Sequence, residues 1–252
     1  MSWYVRATAA IVAGVCVAGA VAGCSDSSKS QRTTLTVFAA ASLKDSFDKL
    51  AAIYRQQHPD VDVRISYDGS NALVTKIQQG AGADVIATAD TATMDKLGAA
   101  VTQRGNFATN TLTIVTAAGN PKHITGLADL NRPGITTVVC AVPVPCGSAT
   151  AQVERNTGIT INPISQETSV TGVLTKVRTG QADAGLVYVT DAKSAASQVD
   201  SINDPAFSDV INRYPIAVVA ASTHKSDASA FVDLVRGQTG REVLGQFGFG
   251  PA

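Results

Sequence analysis

From residue 35 onward, short apolar runs alternate with segments whose apolar residues recur at helical spacing. Leu35, Val37 and Phe38 read as a buried strand, and Leu43, Phe47, Leu50 and Ala51 then share one helix face. The unit recurs along the chain. Strands are expected at 61–65, 84–87, 111–116, 135–139, 159–164, 184–187 and 214–219. Helices are expected after Gly69-Ser70-Asn71, near Thr91 with Asp90 as its cap, and at 147–155, 170–178, 190–196, 228–236 and 241–246. Residues 98–110 carry little pattern. Repeated strand–helix units imply an α/β fold of mainly parallel sheets flanked by helices on both faces. The two series are separated by the strong run at 111–116, which implies two lobes. The runs at 111–116 and 214–219 are the expected crossing points, so the C-terminal helices return to the first lobe. In open α/β sheets ligands lie beyond the carboxyl ends of the strands, which puts the site between the lobes.

The segment before residue 34 stands outside this pattern. Arg6 is the only charge before Asp26, and Ala7 to Ala22 is an unbroken run of small and apolar residues. The run falls short of the about 20 residues of a bilayer span and suits the core of a signal peptide. It closes on Val21-Ala22-Gly23-Cys24, which resembles the lipobox of bacterial lipoproteins. That resemblance implies cleavage after residue 23 and a lipid on Cys24; an ordinary secretory signal with an incidental cysteine is the alternative. The polar stretch over 24–33 reads as a flexible tether. The expected organisation is therefore a signal peptide at 1–23, a tether at 24–33, a first lobe from 34–112 and 217–252, and a second lobe at 113–216. Cys16 lies in the signal, which leaves Cys140 and Cys146 in a compartment that permits disulfides. They flank a stretch stiffened by Pro143 and Pro145, and we expect them to pair.

Lys plus Arg number 20 and Asp plus Glu 20, a formal net charge of zero. No basic field recruits nucleic acid. His58, His123 and His224 lie far apart without ligand spacing, which disfavours a metal hydrolase. The chemistry gathers instead at the strand–helix junctions: Ser42 and Ser70 in the first lobe, Cys146-Gly147 and Ser169-Val170 in the second. Each junction offers backbone N–H groups at a helix N-terminus, some with a hydroxyl, and none brings a Lys or Arg. Ser42 is expected at the N-cap of its helix, with Asp45 able to complete a capping box. Several neutral donors with no counter-charge suit a fully ionised oxyanion, held where two lobes close over it.

Phe38-Ala39-Ala40-Ala41-Ser42-Leu43 resembles the opening strand–helix signature of the molybdate-binding proteins of ABC importers. The likeness continues through Tyr67-Asp68-Gly69-Ser70, Gly82 to Asp90, Leu186-Val187-Tyr188, Tyr214 to Val219 and Gly245 to Phe249. The resemblance implies a type II periplasmic binding protein fold that captures molybdate, and usually tungstate, in the interlobe cleft. It implies delivery to an ABC permease and its ATPase, with no cofactor and no turnover. Matched residue by residue, the anion ligands are Ser42, Ser70, Cys146 and Val170 through their junctions, and Tyr188 through its hydroxyl; no other metal site is implied. Cys146 stands where the family has alanine, and Pro143 and Pro145 depart from its commonest loop. A lipid-anchored monomer at the outer face of the cytoplasmic membrane is the expected state.

Three other readings were open to the residues. Another tetrahedral oxyanion such as sulfate fits the same donors, since only pocket size separates it from molybdate. An enzyme with Ser42 as nucleophile lacks a base near the junctions. A transcription-factor effector domain conflicts with the export signal. Ser70, Val170 and Tyr188 also have plain readings, as a turn residue, a first-turn core residue and a core tyrosine.

Overall fold

The apolar run at 35–40 becomes β1 (Thr33–Ala40) in the computed structural model, which describes residues 32–252. It is followed by α1 (Lys44–Gln57), β2 (Val61–Asp68), α2 (Ser70–Gln78), β3 (Val85–Ala87), α3 (Thr91–Asp95) and β4 (Val101–Asn110). The middle of the chain forms β5 (Leu112–Ala117), β6 (Thr137–Cys140), α4 (Pro145–Thr157), β7 (Ser165–Glu167) and α5 (Val170–Arg178). Then come β8 (Ala184–Tyr188), α6 (Val189–Ser194), β9 (Val199–Ile202), β10 (Asn212–Val219), α7 (Lys225–Arg236) and α8 (Gln238–Phe247). The expected leader, Cys24 and nearly all of the tether lie outside the described residues.

Two five-stranded sheets result, ordered β2-β1-β3-β10-β4 and β7-β6-β8-β5-β9. In the first, β1 runs parallel to β2 and β3, while β10 is antiparallel to β3 and β4. In the second, β6 runs parallel to β7 and β8, while β5 is antiparallel to β8 and β9. The chain leaves the first sheet at Asn110, enters the second at Leu112, and returns at Asn212. The antiparallel members are thus the strands that carry the chain between the sheets.

Side-chain alternation places helices on both faces. Along β1, Val37 and Ala39 pack toward α1, whose Phe47, Leu50, Ala51 and Tyr54 recur at helical spacing and are buried. Phe38 points the other way, into a second cluster with Leu73, Ile77, Ile86 and Met94. Burying each such side chain is worth about 1.5–3 kcal/mol, so these stripes set which face of each helix docks. Phe47 and Tyr54 meet the Phe231 ring of α7 edge-on at 6.2 and 5.4 Å, which brings the returning C-terminal helices onto the first lobe.

Three expectations are corrected. Within 98–110, Gly98–Ala100 forms a 3-10 turn and Val101–Asn110 forms β4, an edge strand whose mostly exposed first half carries no alternation. No strand forms at 159–164; the third parallel strand of the second sheet is the polar Ser165–Glu167. Ser42 is not an N-cap. Ala41–Leu43 forms a turn of 3-10 helix, α1 begins at Lys44 after Leu43, and no side chain caps either start, so Asp45 completes no capping box.

Candidate functional site

Every parallel strand ends at the same cleft between the lobes. β1 delivers Ala41 and Ser42, β2 delivers Gly69 and Ser70, β6 leads to Val144, Pro145 and Cys146, β7 to Val170, and β8 ends on Tyr188. All five sequence-derived ligand positions, Ser42, Ser70, Cys146, Val170 and Tyr188, line one small cavity with Ala40, Ala41, Asp68, Gly69, Ala89, Val144 and Pro145. Pro145 opens α4, and the first helical bond there runs from the Ser148 N–H to the Val144 carbonyl at 2.8 Å. The Cys146 N–H therefore precedes the intrahelical ladder, as the Ser70 N–H does in α2 and the Val170 N–H in α5. Each carries the partial positive charge of a helix start. A disulfide joins Cys140 to Cys146, with Cα atoms 5.6 Å apart, and so ties the start of α4 to the end of β6. Gly147 completes the turn, since a Cβ there would lie 2.2 Å from the Ala141 carbonyl oxygen.

The side-chain donors are hydrogen-bonded from behind. Ser70 Oγ accepts from the Ala89 N–H at 3.0 Å, which leaves its own proton to donate. Ser42 Oγ lies 3.0 Å from the Tyr214 hydroxyl. Tyr188 is buried, and its hydroxyl oxygen accepts from Asn212 Nδ2 at 3.0 Å. Burial holds the Tyr188 and Tyr214 hydroxyls well above the usual tyrosine range, so both stay protonated donors at any physiological pH. Among the described residues no Lys or Arg lines the cavity. Its one carboxylate, Asp68, is engaged on both oxygens, by the Gly69 N–H at 2.8 Å and by Lys76 Nζ at 2.9 Å. The arrangement offers hydrogen-bond donors to an anion and little that would accept a proton from one.

Behind Tyr188, the Asp191 carboxylate accepts from the Tyr188 N–H at 3.1 Å, and burial pushes its pKa from 3.8 up to about 7. Sequence reasoning gave no role to Asn110, Asp191, Asn212 or Tyr214. Only Tyr214 lay within a quoted motif, and nothing in the spacing marks the other three. A larger groove also starts at Ala41 and Ser42, but Lys44, Asp45, Arg178 and Asp191 line it with charges of both signs. It lacks the donor-rich character of the cavity beside it. The three histidines lie elsewhere. His58 stacks on Tyr54, with ring centroids 4.2 Å apart. His224 Nδ1 sits 3.2 Å from Asp84, which also receives the Ser222 hydroxyl at 2.6 Å and the Thr36 N–H at 2.7 Å. That group occupies the amino ends of β1 and β3, away from the cleft, and its serine donates to the carboxylate rather than to the imidazole. Among the described residues no cluster of His, Cys, Asp or Glu is arranged to hold a metal ion.

The whole described chain has counterparts among known proteins. It is 47% identical over 259 aligned residues to the molybdate-binding protein ModA of Mycobacterium tuberculosis, covering 99% of each chain. Among solved structures, the fold matches the sulfate-binding protein SubI of Mycobacterium tuberculosis at a TM-score of 0.78, 22% identity and 88% coverage of each chain. It matches the periplasmic molybdate-binding protein of Azotobacter vinelandii at 0.72, with 20% identity and coverage of 85% of this chain and 98% of that one. These two likenesses establish the two-lobed binding-protein fold and leave the anion open. The family model for bacterial extracellular solute-binding proteins spans residues 35–250, and the chain belongs to that family.

Proposed function

We propose that this chain captures molybdate, and tungstate with it, outside the cytoplasmic membrane and delivers it to an ABC importer. It is a binding protein and not an enzyme; its near relatives over the full length are molybdate-binding proteins, and no cofactor takes part. The observation that carries the reading is a cleft rich in donors, whose one lining carboxylate, Asp68, is already engaged on both oxygens. Three helix N-termini and the hydroxyls of Ser42, Ser70 and Tyr188 converge on one small cavity with no counter-charge. A fully ionised tetrahedral oxyanion offers acceptors alone and matches such a set. In this reading Ser42 and Ser70 bind the anion through hydroxyl and backbone, Cys146 and Val170 through backbone N–H groups, and Tyr188 through its hydroxyl. The Cys146 side chain is committed to the disulfide and leaves the backbone donor in place.

Mechanism here is capture and release. The anion joins donors from both lobes, so binding favours the closed arrangement, and release needs the lobes to part. Lobe limits of 34–112 with 217–252, and 113–216, remain our working division; β10 contributes to the first sheet from Asn212. The lipobox-like run at Val21 to Cys24 supports anchoring through a lipid on Cys24, and a monomer is the state we propose. No helix among the described residues is long and apolar enough to cross a membrane.

Calorimetric titration of residues 25–252 with molybdate, tungstate, sulfate and phosphate tests the reading. Tight one-to-one binding of molybdate and tungstate with weak or silent sulfate is expected. Tight sulfate with silent molybdate would keep the cleft and overturn the substrate.

A further inference from the structure

Both crossings between the lobes carry an asparagine at the same level. Asn110 is the last residue of β4, Asn212 the first of β10, and the two are register partners across the sheet. Backbone groups fix which way each side-chain amide faces. Asn110 Oδ1 accepts from the Thr111 N–H at 3.0 Å, which turns Nδ2 toward Thr190 Oγ1 at 2.8 Å and the Tyr214 hydroxyl at 3.5 Å. Asn212 Nδ2 donates to the Ala89 carbonyl at 3.0 Å and to the Tyr188 hydroxyl oxygen at 3.0 Å. Turning that amide over would set two acceptor oxygens against each other at Ala89, so the carbonyl selects the orientation.

We propose that Asn212 is a positioning residue that makes Tyr188 a donor into the cleft, a role that rests on the oxyanion reading above. The amide proton occupies one acceptor position of the phenol oxygen; the Tyr188 O–H, whose other hydrogen-bonding neighbour is the Tyr214 hydroxyl, is then the group that turns to the bound anion. An anion that carries its own proton then finds no free acceptor at Tyr188. Asn110 repeats the arrangement through Tyr214 toward Ser42, over a longer and weaker contact. Asn212 Oδ1 is buried with no partner among the described residues. Packing alone gives no reason to keep such an atom, since an unpaired buried acceptor is a net cost; the reason is the two bonds made by Nδ2. The pair also ties each crossing strand to the β8–α6 junction of the second lobe, where Tyr188 sits.

A double-mutant cycle tests the role. Molybdate affinity is measured by calorimetry for the unaltered protein, Tyr188→Phe, Asn212→Leu and the double variant, each checked for folding by thermal melting. Each single change is expected to weaken binding roughly tenfold, the scale of one hydrogen bond to a charged ligand. The double variant is expected to bind no more weakly than Tyr188→Phe alone, because Asn212 acts through that hydroxyl. A merely structural role would make the two losses multiply, and that result overturns the proposal. So does an Asn212→Leu protein that binds as the unaltered one does, or a Tyr188→Phe protein without loss. Asn212→Ala carries the same cycle if the leucine variant melts early. Failure of the unaltered protein to bind any of the four oxyanions would instead overturn the oxyanion reading itself.

Discussion

Ser42 and Ser70 present the same hydroxyl in different hydrogen-bonded settings, and the difference has consequences. Ser70 Oγ accepts a backbone proton from Ala89, whereas Ser42 Oγ is paired with the Tyr214 hydroxyl. Removing either hydroxyl leaves an oxygen of a buried anion short of a donor. Ser42→Ala and Ser70→Ala are each expected to weaken molybdate binding by about 1.5–3 kcal/mol, roughly tenfold to a hundredfold. Ser70→Ala also orphans the Ala89 N–H, and Ser42→Ala takes a partner from the buried Tyr214 hydroxyl, so both should lower the melting temperature of the ligand-free protein. Calorimetry and thermal melting separate the two effects, and unchanged affinity in both variants would rule out this site. The serines were legible because both stand at a strand–helix junction, a pattern confined to a few neighbouring residues: Ser70 opens α2, and Ser42 sits in the 3-10 turn that leads from β1 into α1. Their partners were not. Ser42 and Tyr214 stand 172 positions apart, and no local spacing reports that their hydroxyls meet at 3.0 Å.

The helix starts decide what the cleft can hold, and α6 shows how one start is coupled to pH. Asp191 lies in its first turn, buried, with a carboxylate oxygen on the Tyr188 N–H. Burial is the main cause that raises its pKa from 3.8 to about 7, and the Asp45 charge adds to it. The unfolded chain sheds this proton near 3.8 while the native state keeps it to about 7, so within that window the native state binds more protons. Stability from this group is therefore present at low pH and lost as pH rises through the window. Asp191→Asn keeps an acceptor for the Tyr188 N–H and removes the charge. It is expected to flatten the dependence of unfolding free energy on pH across that range and to gain stability above about pH 7. Urea denaturation in a pH series measures both; parallel curves for the two proteins would contradict the assignment. Elements of this kind were read well from sequence where apolar spacing and a cap coincide, as at Ser169 and Val170, where α5 begins as expected. They were missed where exposure or polarity erases the pattern. β4 is an edge strand, and Ser165–Glu167 earns its place by pairing with Val138–Cys140 rather than by its own hydrophobicity.

At the scale of the whole molecule the two lobes meet closely enough that a single methyl group matters. Gly69 belongs to the first lobe, at the start of α2, and Thr168 to the second, just before α5. A Cβ on Gly69 would lie 2.2 Å from the Thr168 carbonyl oxygen, so the arrangement of the lobes in this structure has no room for any other residue there. The Gly69 backbone itself is unstrained, with φ −58° and ψ 136°, angles open to every residue. Glycine is required by the partner lobe and not by its own turn, a distinction no sequence pattern around Asp68-Gly69-Ser70 could express. Gly69→Ala should therefore fold as well as the unaltered chain, with the same melting temperature in the absence of ligand, and fail at closure. We expect molybdate affinity to drop at least about tenfold, the scale at which one lobe's donors lose register with the anion. The rise in melting temperature produced by saturating molybdate should shrink in step, because ligand stabilisation follows the ratio of free ligand to Kd. Small-angle scattering adds a direct reading of shape. With molybdate the unaltered protein should contract, whereas Gly69→Ala should keep the larger radius of its open form. Equal affinity and equal contraction in the two proteins would mean that the bound state leaves a gap between Gly69 and Thr168, and that capture does not depend on this contact.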